Sequence, residues 1–150
     1  MTSPPMPRGR ARARPLWSAS AGVAVWLAYL WAAPTTVLGL LASLLAWPRG
    51  RICLVDGVIE ARGPLLAWVL RHLVPLPGGA AAITLGHVVL GRDQPTLDQT
   101  RGHERVHVRQ YERWGPFLVP AYLVASLWVA VRGGHPYLDN PFERQAFGDE

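Results

Sequence analysis

The stretch "RGHERVHVRQYERWG", Arg101 to Gly115, sets His103 and His107 four residues apart, with Glu104 directly after the first. In a helix, positions i and i+4 lie on one face, about 6 Å apart. Two imidazoles spaced this way can both reach one metal ion. Glu104 is rotated about 100° from His103, too far round for a natural third ligand but within reach of a water on the ion's open side. Zinc lowers the pKa of such a water toward about 7, and a carboxylate can take its proton and pass it to a leaving amine. The pattern predicts a helix from about Leu97 to Trp114, with Thr96 or Asp98 as N-cap and Gly115-Pro116 as its end. The competing reading is a helix with a core or capping histidine and a solvated Glu–Arg face.

A catalytic zinc site normally has three protein ligands and a water, so a third ligand is expected. One zinc class continues His-x-x-Gly-x-x-His; Gln110 and Arg113 occupy those positions and exclude it. Downstream stand His135, Asp139 and Glu143. Glu143 is favoured, because "NPFERQAF" reads as a short helix that can pack beside the first, with Asn140 as N-cap and Pro141 at its first position. Glu143 is also the third residue after that cap, where a glutamate commonly closes a capping box without any metal.

"GHERVHVRQYERWG" followed by "NPFERQAF" resembles, in minimal form, the gluzincin branch of the zincin metallopeptidases. The resemblance implies Zn2+ held by His103, His107 and Glu143, with Glu104 as catalytic base and a polypeptide as substrate. It also implies a strand before the motif helix whose edge pairs with extended substrate; "ITLGHVVLG" stands in that place. The likeness covers roughly residues 80–147, and its specific part is the His-Glu-x-x-His core. Ala146 and Phe147 stand where an acidic residue often follows the ligand glutamate. His135 and Tyr137, between the two helices, are candidates for stabilising an oxyanion, against an ordinary loop role.

Toward the N-terminus the chain changes character. Residues 16–47 contain no charged side chain, and roughly 20 apolar residues suffice to cross a bilayer. Trp17, Trp26, Trp31 and Trp47 include residues near both ends of the run, as an interfacial belt would. The expectation is an integral membrane protein with one transmembrane helix, or a helical hairpin turning near Pro34. A cleaved signal peptide is a third reading, opposed by apolar sequence that runs past any small-residue cleavage site. Residues 1–15, rich in Pro and Arg, read as a disordered tail whose arginines flank the span.

The middle of the chain supplies a short sheet. Asp56-Gly57 between "RICLV" and "VIEAR" signals a hairpin. "PLLAWVLRHL" reads as a helix starting at Pro64, and Ala80 to Gly91 as one strand carrying His87. Phe117 to Val131, charge-free but short for a crossing, reads as a buried or partly inserted helix. The fold class expected is therefore α+β: a membrane segment over residues 16–47, then a small zincin-like domain over residues 48–150.

The charge adds little. All 15 basic residues are Arg and the net charge is +5, which is weak grounds for a nucleic-acid partner; none is expected. Arg101, Arg105, Arg109 and Arg113 form a stripe of like charges that needs partners or solvent, and anionic lipid headgroups fit that need. Cys53 is the only cysteine, so no thiolate cluster can hold the metal; in an apolar strand it reads as a small buried hydrophobe. The functional expectation is a membrane-anchored zinc metallopeptidase. The rivals are a non-catalytic membrane protein with a structural or vestigial metal site, and a basic adaptor at the membrane surface.

Overall fold

The computed structural model describes residues 19–76 and 78–148. The Arg-rich tail expected over residues 1–15, and the start of the apolar run, lie outside them. The first helix, α1 (Ala19–Ser43), continues unbroken through Pro34. The apolar run thus forms one helix and not a hairpin. The hydroxyls of Thr35 and Thr36 bond back to the Ala32 carbonyl at 2.9 and 3.0 Å, keeping both polar groups satisfied within the apolar helix.

The sheet follows. Strands β1 (Arg51–Val55) and β2 (Val58–Arg62) form the expected hairpin. Asp56 and Gly57 have φ of 48° and 80°, the two positive values that a tight type I′ turn requires. Helix α2 (Pro64–His72) begins at its proline, as expected. The run from Ala80 to Gly91 is not one strand, however. It folds on itself as β3 (Ala82–Leu85) and β4 (Val88–Gly91), antiparallel, with Gly86-His87 as the turn. Gly86 has φ of 62°. The sheet order is β1-β2-β4-β3, with β2 and β4 parallel. Doubling back lets both short apolar arms join one sheet, with β4 at its centre and β3 at its edge.

The two faces of the sheet are covered differently. Val88 and Leu90 pack with Leu66 and Leu70 of α2 and with Ala46 beyond α1. Val89 and Val58 pack with Leu97 and Val108 of α3 (Gln94–Trp114) on the other face. Helix α3 starts earlier than expected: Asp93, and neither Thr96 nor Asp98, caps it by accepting from the Thr96 amide at 2.8 Å. Pro95 fits in the first turn, where no helical hydrogen bond is lost.

From Tyr29 onward α1 packs on this domain. Ala32 is buried with Tyr111 and Leu118. A Cβ on Gly39 would sit 2.7 Å from both the Leu85 carbonyl oxygen and the Val88 Cβ, so only glycine allows the helix to approach that closely. Gly115, at φ 55°, breaks α3 and redirects the chain into α4 (Leu118–Val131). The last helix is α5 (Pro141–Gly148).

Two helical stretches, Gly22–Ala46 and Gln94–Val131, are long and apolar enough to cross a membrane by length and composition. Trp26, Leu30 and Leu41 on the first, and Leu123, Leu127 and Val131 on the second, are exposed. Only Leu118 of α4 is buried, so α4 is not the core helix that its composition allowed. Cys53 is exposed as well, contrary to expectation, because β1 is an edge strand whose residues are mostly uncovered.

Candidate metal centre

Helix α3 turns one polar face inward. His103, Glu104 and Gln110 are all buried on it, alongside Val106, Val108 and Tyr111. Buried polar groups need partners, and the geometry supplies them from three elements. His103 Nε2 lies 3.1 Å from His107 Nε2 and 3.1 Å from Glu143 Oε2. Glu143 Oε1, the other carboxylate oxygen, lies 3.6 Å from His107 Nε2. Donors held about 2.0–2.1 Å from one tetrahedral ion are about 3.3 Å apart; one donor atom from each of the three residues lies within 4.8 Å of the others. The group formed by His103, His107 and Glu143 could hold a metal ion. Glu143 Oε2 is buried and accepts no aligned hydrogen bond, as a coordinating oxygen would.

The surrounding residues orient these donors. Gln110 Nε2 donates to the Phe142 carbonyl at 3.0 Å and to Gln145 Oε1 at 3.1 Å. Its Oε1 is then left to accept from His107 Nδ1 at 2.9 Å. His107 therefore keeps its proton on Nδ1 and turns the Nε2 lone pair toward the other two donors, the tautomer a metal ligand needs. Tyr122, on α4, donates to Glu143 Oε1 at 2.8 Å. Asn140 caps α5 by accepting from the Phe142 amide at 2.9 Å. Glu143, which could have served the cap, has its carboxylate turned to the imidazoles instead.

Electrostatics follow from burial and these contacts. Burial alone would raise the Glu143 pKa, but the close imidazoles of His103 and His107, with the Tyr122 hydroxyl, outweigh it and hold the carboxyl at about 2. Burial alone would lower His107; its bonds to Glu143 and Gln110 outweigh that and leave it raised. Glu104 goes the other way. Burial raises its pKa more than the Thr84 hydrogen bond and the two imidazoles lower it. Its Oε2 accepts from the Thr84 hydroxyl at 2.6 Å.

Thr84 belongs to β3, the strand expected at the substrate edge. The Arg92 amide donates to the Ala81 carbonyl at 3.2 Å, which fixes the phase of the antiparallel ladder. Ile83 and Leu85 then bond β4, while Ala82 and Thr84 turn their main-chain N–H and C=O away from it. The strand thus presents outward-pointing polar groups beside Glu104.

Other expected residues are placed as follows. His135 is exposed in the turn before α5, and its Nδ1 accepts from the Tyr137 and Leu138 amides. Asp139 accepts from the His135 amide at 2.7 Å. Tyr137 packs edge-on against Phe147, which in turn lies 4.7 Å from the His103 ring. The arginine stripe is divided. Arg101 makes a two-pronged pair with buried Glu60 at 2.9 and 3.0 Å, and Arg105 approaches the same carboxylate at 3.7 Å. Arg109 and Arg113 are exposed. His87 stacks on Tyr29 and bridges Thr36 of α1 and Glu112 of α3.

Sequence reasoning did not single out Tyr122, Thr84 or Gln110. For Tyr122 a signal exists: with Ser126 it is one of two hydroxyl side chains in an otherwise apolar helix, spaced i and i+4. Comparison with known protein families, curated proteins and solved structures finds nothing that matches this chain.

Proposed function

We propose that the chain is a zinc-dependent peptidase held at a membrane by its apolar helices, with a minimal zincin-like domain. The observation that carries this reading is the convergence of three metal-donor atoms, from His103, His107 and Glu143, beside the buried carboxylate of Glu104. Two neutral imidazoles and one carboxylate suit zinc. When bound, zinc supplies Lewis-acid chemistry, polarising a carbonyl and lowering the pKa of water.

The chain's own residues supply the rest. An extended peptide pairs with the outward main-chain groups of Ala82 and Thr84, which aligns its backbone along β3. Glu104, held by Thr84 one residue from His103, takes a proton from the attacking water and returns it to the leaving amine. The exposed apolar faces of α1 and α4 rest in lipid, and the charged α3 stays at the surface.

Elemental analysis of untagged protein should find one zinc per chain, lost in His103→Ala. A peptide-library assay should find hydrolysis in wild type and none in Glu104→Gln, with zinc retained. Zinc content that His103→Ala leaves unchanged would end the proposal. A second reading, a non-catalytic metal site, draws support from the deep burial of Glu104 and its bond to Thr84. Zinc bound by wild type, with no peptide cleaved, would favour it.

A further inference from the structure

Helix α4 is apolar on every side, and only Tyr122 and Ser126 carry hydroxyls. Spaced i and i+4, they share one face, and both reach α5. Ser126 Oγ accepts from the Asn140 amide at 2.8 Å, and Asn140 also donates to the Tyr122 carbonyl at 3.1 Å. These contacts dock the α5 N-terminus on α4, with Asn140 fully buried. The Tyr122 hydroxyl goes further and donates to Glu143 Oε1 at 2.8 Å. Oε2, the other oxygen, faces His103 Nε2 and accepts no aligned hydrogen bond. One oxygen of the carboxylate is thus held by a phenol, and the other faces the His103 imidazole, on the side where an ion would be shared.

We infer that Tyr122 is a positioning residue for the metal site: its phenol fixes the Glu143 carboxylate so that Oε2 is presented to the ion. This rests on the reading that His103, His107 and Glu143 bind a metal. It assigns α4 a part in the site beyond lipid contact, because the residue that aims the third ligand is carried by the apolar helix. A hydrogen-bonded carboxylate ligand loses rotational freedom before the ion arrives. Removal of such an outer partner generally weakens metal affinity by about 10- to 100-fold.

The test is a Co2+ titration of the full-length chain in detergent, followed by the visible d–d absorption and repeated in competition with Zn2+. Tyr122→Phe keeps the ring and deletes only the hydroxyl. It should weaken Co2+ binding by about 10-fold or more and change the shape of the d–d band. Ser126→Ala removes a docking contact without touching Glu143, and should bind Co2+ as wild type does. Wild-type affinity and an unchanged band in Tyr122→Phe would overturn the inference. An equal loss in Ser126→Ala would also overturn it, by assigning the effect to helix docking. If wild type itself binds no Co2+ or Zn2+, the metal reading and this inference fall together; if wild type binds and Tyr122→Phe is silent, only this inference falls.

Discussion

Within the single helical stretch Gln94–Val131, the two halves follow opposite rules. In α3 the buried face carries His103, Glu104 and Gln110, and each polar group meets a partner on another element. In α4 the apolar side chains face outward: Leu123, Val124 and Leu127 are 61%, 67% and 66% exposed. An inward polar face costs desolvation that hydrogen bonds and a metal can offset. An outward apolar face of this extent calls for a neighbour other than water. The break between the two regimes falls at Gly115, where a positive φ turns the chain.

The largest effect should come from breaking the polar half at its centre. His107→Ala removes one of three donors, so metal affinity should fall by more than the roughly 100-fold limit typical of losing an outer partner, as measured by zinc competition titration. The apolar half is tested by charge. Val124→Arg, if α4 sits in lipid, should cost about 3 kcal/mol of insertion, read as lowered stability of the vesicle-bound chain, which α1 still anchors. If α4 faces water, the same change should move stability by less than about 0.5 kcal/mol.

Glu60 tests whether the arginines at the start of α3 belong to the protein or to a surface partner. It is buried and paired to Arg101 and Arg105. Glu60→Ala should destabilise by about 2 kcal/mol, below the full cost of breaking a buried pair because Arg101 is one-third exposed and can rehydrate; chemical denaturation measures it. The smallest effect concerns pH. The raised pKa of His107 means that the metal-free site carries a proton there below that pKa, and a metal must displace it. Affinity should therefore fall as the pH drops through that pKa, by up to about tenfold per unit, or about 1.4 kcal/mol. Glu143, at about 2, stays ionised and adds no competing proton. Affinity independent of pH between 8 and about 5 would contradict this.

Local signals in the sequence were reliable where one residue does one job. Asp56-Gly57 gave its turn, Pro64 its helix start, and Asn140-Pro141 the start of α5, because each depends on backbone preferences of the residues named. The pairing of His103 with His107 needed only helical spacing. Glu143 was harder, since the same position suits a cap; only the packing of α5 on α3 turns its carboxylate to the imidazoles. The run Ala80 to Gly91 reads as one strand because its apolar residues continue on both sides of Gly86-His87, and periodicity does not register the reversal that makes it two. Asp93 caps α3 ahead of the expected Thr96 or Asp98, and Pro95 is the sign of it, since a proline suits a first turn that begins before Thr96. Gln110 stands at helical spacing from His107 and Tyr122 at helical spacing from Ser126, but their bonds to α5, like that of Thr84 to Glu104, join elements apart in the chain, which no spacing rule brings together.

Gly115 also sets a height. From His107 to Gly115 the helix advances about 12 Å, at about 1.5 Å per residue, and the apolar helix begins just beyond. With α4 in lipid from Leu118, that length plus about 6 Å for the turn over Gly115–Phe117, at about 2 Å per residue, is a ceiling of roughly 18 Å on how far His107 can stand above the bilayer, and any tilt of α3 lowers it. The chain carries its own depth gauge: if it is the membrane-held peptidase proposed above, a scissile bond would have to come within roughly 18 Å of the lipid surface, which would favour juxtamembrane segments of anchored chains over loops that project far into water.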